Sequence, residues 1–265
     1  MIAPMRALPP WIRLSFALAA LLAAPWPASA LEPNFRPGEA LRYDLRWSVF
    51  HVGYARLQVH DLEPFEGENA WHFSFHVRTN DFADNFFKVR TRIDTWVSED
   101  LSRTLFYKER KREGDTKRDI EIRFDWAKRK AVYSNFGEAR EPIDLPPPPV
   151  LDPVGAVYRF RSIPPAPGED IRFHVTDGKK VVGLSLVVDE EEDLKTEAGY
   201  FPAYKIAPAT GELGGVFEKS EDSRVFLWFS SVRRIYPVQV QGEVVVGSFW
   251  AELKAIERRD PEELD

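Results

Sequence analysis

The chain has 265 residues, with 36 Lys and Arg against 42 Asp and Glu, a formal charge of −6 and no cysteine. The lack of thiols excludes disulfides, thiolate metal centres and a cysteine nucleophile. The acidic balance argues against a nucleic-acid binder.

Residues 1–30 read as a cleaved export leader. Arg6 and Arg13 give a positive start, Leu14 to Ala24 form a short apolar run, and "PASA" ends on the small-x-small pattern at Ala28 and Ala30. The run falls short of the ~20 apolar residues that span a membrane. No second run approaches that length, so the protein is expected to be periplasmic and not membrane-spanning. Without Arg6 and Arg13 the remainder keeps 34 basic against 42 acidic side chains, a charge of −8. Residues 31–265 suit one β-rich domain, with a Pro-rich crossover near 142–153.

After residue 40 the pattern alternates with a period of two. Leu41, Tyr43, Leu45 and Trp47 oppose Arg42, Asp44 and Arg46. Gly53, Ala55, Leu57 and Val59 oppose Tyr54, Arg56, Gln58 and His60, and Trp71, Phe73, Phe75 and Val77 oppose His72, Ser74, His76 and Arg78. "NDFADNFF" at Asn80 to Phe87 breaks the alternation with spacing suited to one helical turn. Val89 to Val97 resumes it, and "KREGDTKR" at Lys111 to Arg118 predicts a hairpin before Ile120 to Trp126.

Pro146 to Pro149 cannot join a ladder. Asp152 is placed to cap a short helix with Pro153 at its first position. Asp177-Gly178 predicts a hairpin joining "IRFHVT" to "KVVGLSLVVD", and "DEEED" at Asp189 to Asp193 reads as a solvated turn. Later strands are predicted near Tyr204 to Ala207, Val225 to Phe229, Val238 to Gln241 and Gly247 to Leu253. The sum is an all-β fold. About a dozen strands would form one long curved antiparallel sheet, an open or spiral barrel with one or two short helices.

"FRPGEALRYDLRWSVFHVGYARLQV", "DFADNFFKVRTRIDTWV", "DPVGAVYRFR" and "LWFSSVRRIYPVQVQGEVVVGSFWAEL" occur in that order between Phe35 and Leu253. Together they resemble the bacterial exported domain-of-unknown-function family numbered 3108. "KTEAGYFPAYKI" at Lys195 to Ile206 also looks like a segment of curved-sheet envelope proteins, lipoprotein carriers and β-spiral proteins among them. The resemblance implies a periplasmic β-rich fold with no assigned activity, cofactor or catalytic residue.

Catalytic motifs are absent from the sequence. There is no G-x-S-x-G nucleophile elbow. His72 and His76 lie ~13 Å apart along one strand, too far to share an ion. No metal or cofactor is therefore expected, and the protein is expected not to be an enzyme; a carboxylate-dependent glycan hydrolase ranks third. Two features stand out. From Arg103 to Lys130, 11 basic side chains face 6 acidic ones, a ribbon suited to anionic groups or to edge protection. Aromatic residues crowd the predicted strands and would either fill a core or line a concave ligand face.

The first expectation is a non-catalytic envelope protein that binds an amphipathic or polymeric ligand, lipid or cell-wall glycan. Tyr43, Trp47, Trp71 and Phe73 would line the concave face, and Arg110, Arg112, Lys117 and Arg118 the basic rim. The alternative is a filled-core scaffold whose partner is another envelope protein.

Overall fold

The computed structural model describes residues 31–208, 224–243 and 248–258. The leader reading at 1–30 lies outside the described residues. Within the described residues sixteen strands form one sheet. The N-terminal half gives β1 (Ala40–Trp47), β2 (Phe50–Phe65), β3 (Glu68–Thr79), β4 (Val89–Ser98), β5 (Thr104–Glu113), β6 (Thr116–Asp125) and β7 (Lys130–Asn135). Three two-residue strands follow: β8 (Glu138–Ala139), β9 (Ile143–Asp144) and β10 (Val150–Leu151). The C-terminal half gives β11 (Asp170–Thr176), β12 (Val181–Thr196), β13 (Gly199–Pro208), β14 (Arg224–Ser230), β15 (Pro237–Glu243) and β16 (Ser248–Glu257). Helix α1 (Asp81–Asp84) joins β3 to β4, and α2 (Pro153–Arg161) follows β10.

From β5 the sheet runs through β4, β3 and β2 to β1, then through β16 to β11 in descending order and ends at β10. Neighbours are antiparallel except β10 and β11. β1 lies between β2 and β16, so the two halves of the chain meet there in one ladder. A parallel bridge between Arg103 and Val150 draws the two arms together, with Val150 N donating to Ser102 O at 3.0 Å. The sheet is nevertheless not closed as a barrel, and β6 to β9 continue past β5.

The predicted alternation holds across the first strands. Leu41, Tyr43, Leu45, Ala55, Leu57, Val59, Trp71 and Phe73 are buried on the inner face. Gly53 is required by the close approach of β2 to β3: a Cβ there would stand 2.3 Å from the Arg78 carbonyl oxygen.

The inner face is covered by α2. Asp152 caps it as predicted, with Oδ1 accepting from Val154 N at 2.8 Å and Gly155 N at 3.1 Å. Its Oδ2 accepts from Thr95 Oγ1 at 2.6 Å and Thr104 Oγ1 at 2.7 Å, so the cap also ties the helix to β4 and β5. Burial pushes the Asp152 carboxyl above the usual range, against the pull of those four hydrogen bonds. The Tyr158 ring stacks on Phe73 at 3.7 Å between centroids, and Phe35 meets both rings edge-on.

Arg161, at the last position of α2, is fully buried. It pairs with Glu39 at 2.6 Å and donates from Nε to Ile235 O at 2.8 Å. The rings of Tyr158, Tyr236 and Phe35 stand 5.3 to 5.8 Å from its guanidinium carbon.

One expectation is corrected. Asp189 to Asp193 is not a turn but part of β12, which runs on to Thr196. A register shift between Val188 and Glu191 bends the strand there, and the five acids lie exposed. Glu192 accepts from Trp228 Nε1 and Glu191 from Ser231 Oγ, which holds the acidic run against the C-terminal end of β14.

Candidate basic face and cleft

The outward residues of the N-terminal strands form two cross-strand rows. The first runs Arg42, Arg56, His76, Arg92, Arg110 across β1 to β5. The second runs Tyr54, Arg78, Arg90, Arg112, Lys117 across β2 to β6. Directly opposed residues in an antiparallel pair lie ~4.5–5.5 Å apart at Cβ, where like charges repel. Here Arg42 opposes Arg56, Arg92 opposes Arg110, and Arg90 opposes both Arg78 and Arg112.

Acids relieve part of this repulsion. Glu257 bridges Arg42 at 2.8 Å and Arg56 at 3.4 Å. Asp94 takes a two-pronged contact from Arg92 at 2.7 and 3.0 Å. Asp119 serves both Arg110 and Arg112. Arg78 is exposed and lies over the Tyr54 ring at 5.8 Å, with no carboxylate within 4.0 Å among the described residues.

Where β16, β1, β2 and β3 curve, these side chains surround an open cleft of about 600 Å³. Arg42, Arg56, Arg78 and Lys254 supply four cations against one lining carboxylate, Glu257, and Tyr43, Tyr54 and His76 stand among the other lining residues. Lys254 is held by Asp44 at 2.8 Å and Glu197 at 3.4 Å. Burial, then the Arg92 and Arg56 guanidiniums, push the His76 imidazole below its usual range, with Asp94 opposing. The His76 Nε2 is buried without a hydrogen-bond partner among the described residues. The cleft can take an anion with several charged oxygens, because guanidiniums bind carboxylates and phosphates in two-pronged fashion.

The residues expected to hold a ligand fall in three places. Tyr43, Trp71 and Phe73 are packed in the core with α2, and Tyr43 OH donates to Pro237 O at 2.7 Å. Trp47 lies at the open end of β1, 48 % exposed. Arg110, Arg112 and Lys117 extend the outer rows, whereas Arg118 opposes Lys111 on the other face of the same hairpin. Arg42, Arg56, Arg78 and Lys254 are single cations on four strands and make no local run in the sequence. Their signal was the alternation itself, which sets Arg42, Arg56 and Arg78 on one face.

A second cluster gathers His60, His72 and Asp94, whose ligating atoms lie within 4.8 Å of one another. Its chemistry is that of a hydrogen-bonded stack. The His60 and His72 rings lie parallel at 4.1 Å, His72 continues onto Trp96 at 4.4 Å, and His60 Nε2 meets Ser74 Oγ at 2.9 Å. The Arg92 guanidinium already occupies Asp94 and would repel a divalent ion beside it.

The family model described as "Protein of unknown function (DUF3108)" matches residues 42–254. Among curated proteins no relative matches. A β-barrel-like protein of the DUF1849 domain of unknown function from Brucella abortus is similar in structure, with TM-score 0.54 and 11 % identity, over 84 % of this chain and 98 % of that one. At that identity the likeness speaks for the fold alone. A protein from Bacteroides fragilis described as exported, with a YmcC-like fold, matches with TM-score 0.38 and 10 % identity over 84 % and 97 %. A protein from Parabacteroides distasonis described as a lipoprotein gives 0.35 and 12 % over 85 % and 98 %. Among the described residues no helix is long and apolar enough to cross a membrane.

Proposed function

The chain belongs to the DUF3108 family of unknown function, and from that premise we propose a non-catalytic, exported protein of the periplasmic envelope that binds an anionic ligand on its outer basic face. The ligand class is a polymeric or amphipathic anion, a charged cell-wall glycan or a lipid head group. The observation that carries this reading is the set of opposed cations on β1 to β5, of which Arg42, Arg56 and Arg78 line the cleft, with Glu257 shared by Arg42 and Arg56 and no carboxylate beside Arg78 among the described residues. Such an array costs stability in the empty protein and regains it when an anion binds. The net negative charge elsewhere does not oppose this, because charges beyond the ~8–10 Å screening length are largely unseen at the cleft. The leader pattern at 1–30 supports export.

A second reading, a scaffold for another envelope protein, is favoured by α2, which fills the inner face where a carrier would hold its cargo. The two separate by native mass spectrometry of protein purified from the envelope without detergent. An anionic adduct on the wild type, lost from Arg56→Gln/Arg78→Gln, is the expected result. A bare mass for the wild type, with a crosslinked protein partner, would instead support the scaffold.

A further inference from the structure

The β1–β2 and β5–β6 turns, the α1 connection between β3 and β4, and the paired ends of β15 and β16 at Glu243 and Ser248 lie at one end of the strands. They alternate along the ladder with the β2–β3 and β4–β5 turns at the other end, and this end forms one rim of the sheet. Among the described residues, that edge carries most of the large exposed apolar side chains. Trp47 pairs in register with Phe50 on one side and Phe249 on the other. Phe50 stacks on Phe82 at 6.3 Å, and Phe82 meets Phe86 at 5.4 Å. Phe249, Trp47, Phe50, Phe82 and Phe86 thus gather across β16, β1, β2, α1 and the residues just after it. Phe86 is 78 % exposed, Phe50 56 % and Phe82 53 %. Val49, at the tip of the β1–β2 turn, is 83 % exposed.

Soluble monomers rarely expose a contiguous patch of this kind, and larger ones mark contact with protein or membrane. The setting selects between these. Exposed cations flank the rings: Arg46 beside Trp47, Lys88 after Phe87, and Lys117 on the adjoining hairpin. Asp84 is turned onto Arg90 at 2.6 and 3.0 Å and stands 4.0 Å from Lys88, while Asp81 on the same helix and Asp115 on the β5–β6 turn are exposed. The Asp84–Arg90 pairing also ties down the helix that presents Phe82 and leads into Phe86. Phe87 is seated over the β5–β6 turn, where Gly114 adopts φ +53° and a Cβ would come within 2.6 Å of its ring. Exposed aromatic rings with Arg46, Lys88 and Lys117 beside them suit the head-group region of an anionic bilayer.

We propose that this aromatic edge is a membrane-surface anchor that docks the protein on an anionic lipid bilayer. The rings from Phe249 to Phe86 enter the interface, and Arg46, Lys88 and Lys117 meet lipid phosphates. The inference stands apart from the cleft, whose residues do not take part. A protein so docked would hold its basic rows beside the lipid surface.

The test is co-sedimentation of the full chain with vesicles of phosphatidylethanolamine and phosphatidylglycerol, and with neutral phosphatidylcholine vesicles. The wild type is expected to sediment with the anionic vesicles and much less with the neutral ones. Phe50→Ser/Phe86→Ser should partition about tenfold less or weaker still, with unchanged melting, because both rings are exposed in the free protein. Lys88→Ser/Lys117→Ser should lose the preference for anionic lipid. Should the double serine variant melt early, Phe86→Ser alone replaces it. Absence of wild-type binding, or equal binding by the aromatic variant, would overturn the proposal. So would a wild-type dimer in lipid-free solution that the aromatic variant turns into a monomer, since the edge would then belong to a second copy. Phe50→Ser/Phe86→Ser should keep the wild-type, salt-sensitive binding of a uronic-acid oligosaccharide at the cleft, which keeps this result separate from the fate of the cleft.

Discussion

Arg161 shows how far a single side chain can depart from its sequence context. In "VYRFRS" it reads as one more surface arginine beside Arg159, yet it is fully buried and bound to Glu39, 122 positions away. Nothing local announces this, because the partner and the cage of Phe35, Tyr158 and Tyr236 come from distant segments. Breaking a buried pair leaves an uncompensated charge in the interior. Arg161→Met is therefore expected to destabilise the fold by about 3–5 kcal/mol, measured by denaturant unfolding. A loss below ~1 kcal/mol would mean that Glu39 is solvated without it. Tyr43, Trp71 and Phe73 make the complementary point. Alternation sets them correctly on the inner face but is silent on whether that face is empty, and α2 fills it.

Elements were legible where a turn or cap is encoded locally. The Gly114 hairpin, the Asp177-Gly178 hairpin, the α1 turn and the Asp152 cap all lie where the residues put them. The acidic run at Asp189 to Asp193 was not legible, because its strand state depends on pairing with β13 rather than on its own propensity. Helix α1 also predicts a pH dependence. The Arg90 guanidinium and the Thr79 hydroxyl hold the Asp84 carboxyl down to about 2. A carboxylate held low in the folded state contributes stability that is present above its unfolded value and is lost as pH falls towards its folded value. Thermal melting should show the wild type more stable than Asp84→Asn at neutral pH, with the gap closing between about pH 4 and pH 2. A gap that stays constant across that window would remove Asp84 as the titrating anchor of α1.

At the scale of the whole molecule, the fold class and the open curved sheet were readable from period-two patterning, and the strand order through β1 was not. Joining β16 to β1 brings Lys254 and Glu257 beside Arg42 and Arg56, and so builds a cleft from residues over 200 positions apart. The basic rim expected on one hairpin is the margin of a broader face, and sequence reasoning found the margin because its cations are consecutive.

The central claim is that this face, and not the aromatic interior, receives an anion. The most direct measurement is a calorimetric titration with a phosphatidylglycerol micelle and with a uronic-acid oligosaccharide at increasing salt, for the wild type and for Arg56→Gln/Arg78→Gln. The account predicts binding of at least one probe that weakens steeply with salt and falls about tenfold or more in the variant. The unliganded variant should melt at or slightly above the wild-type temperature, because opposed cations have been removed. Salt-insensitive binding of equal strength in both proteins would contradict it and return the ligand to the interior.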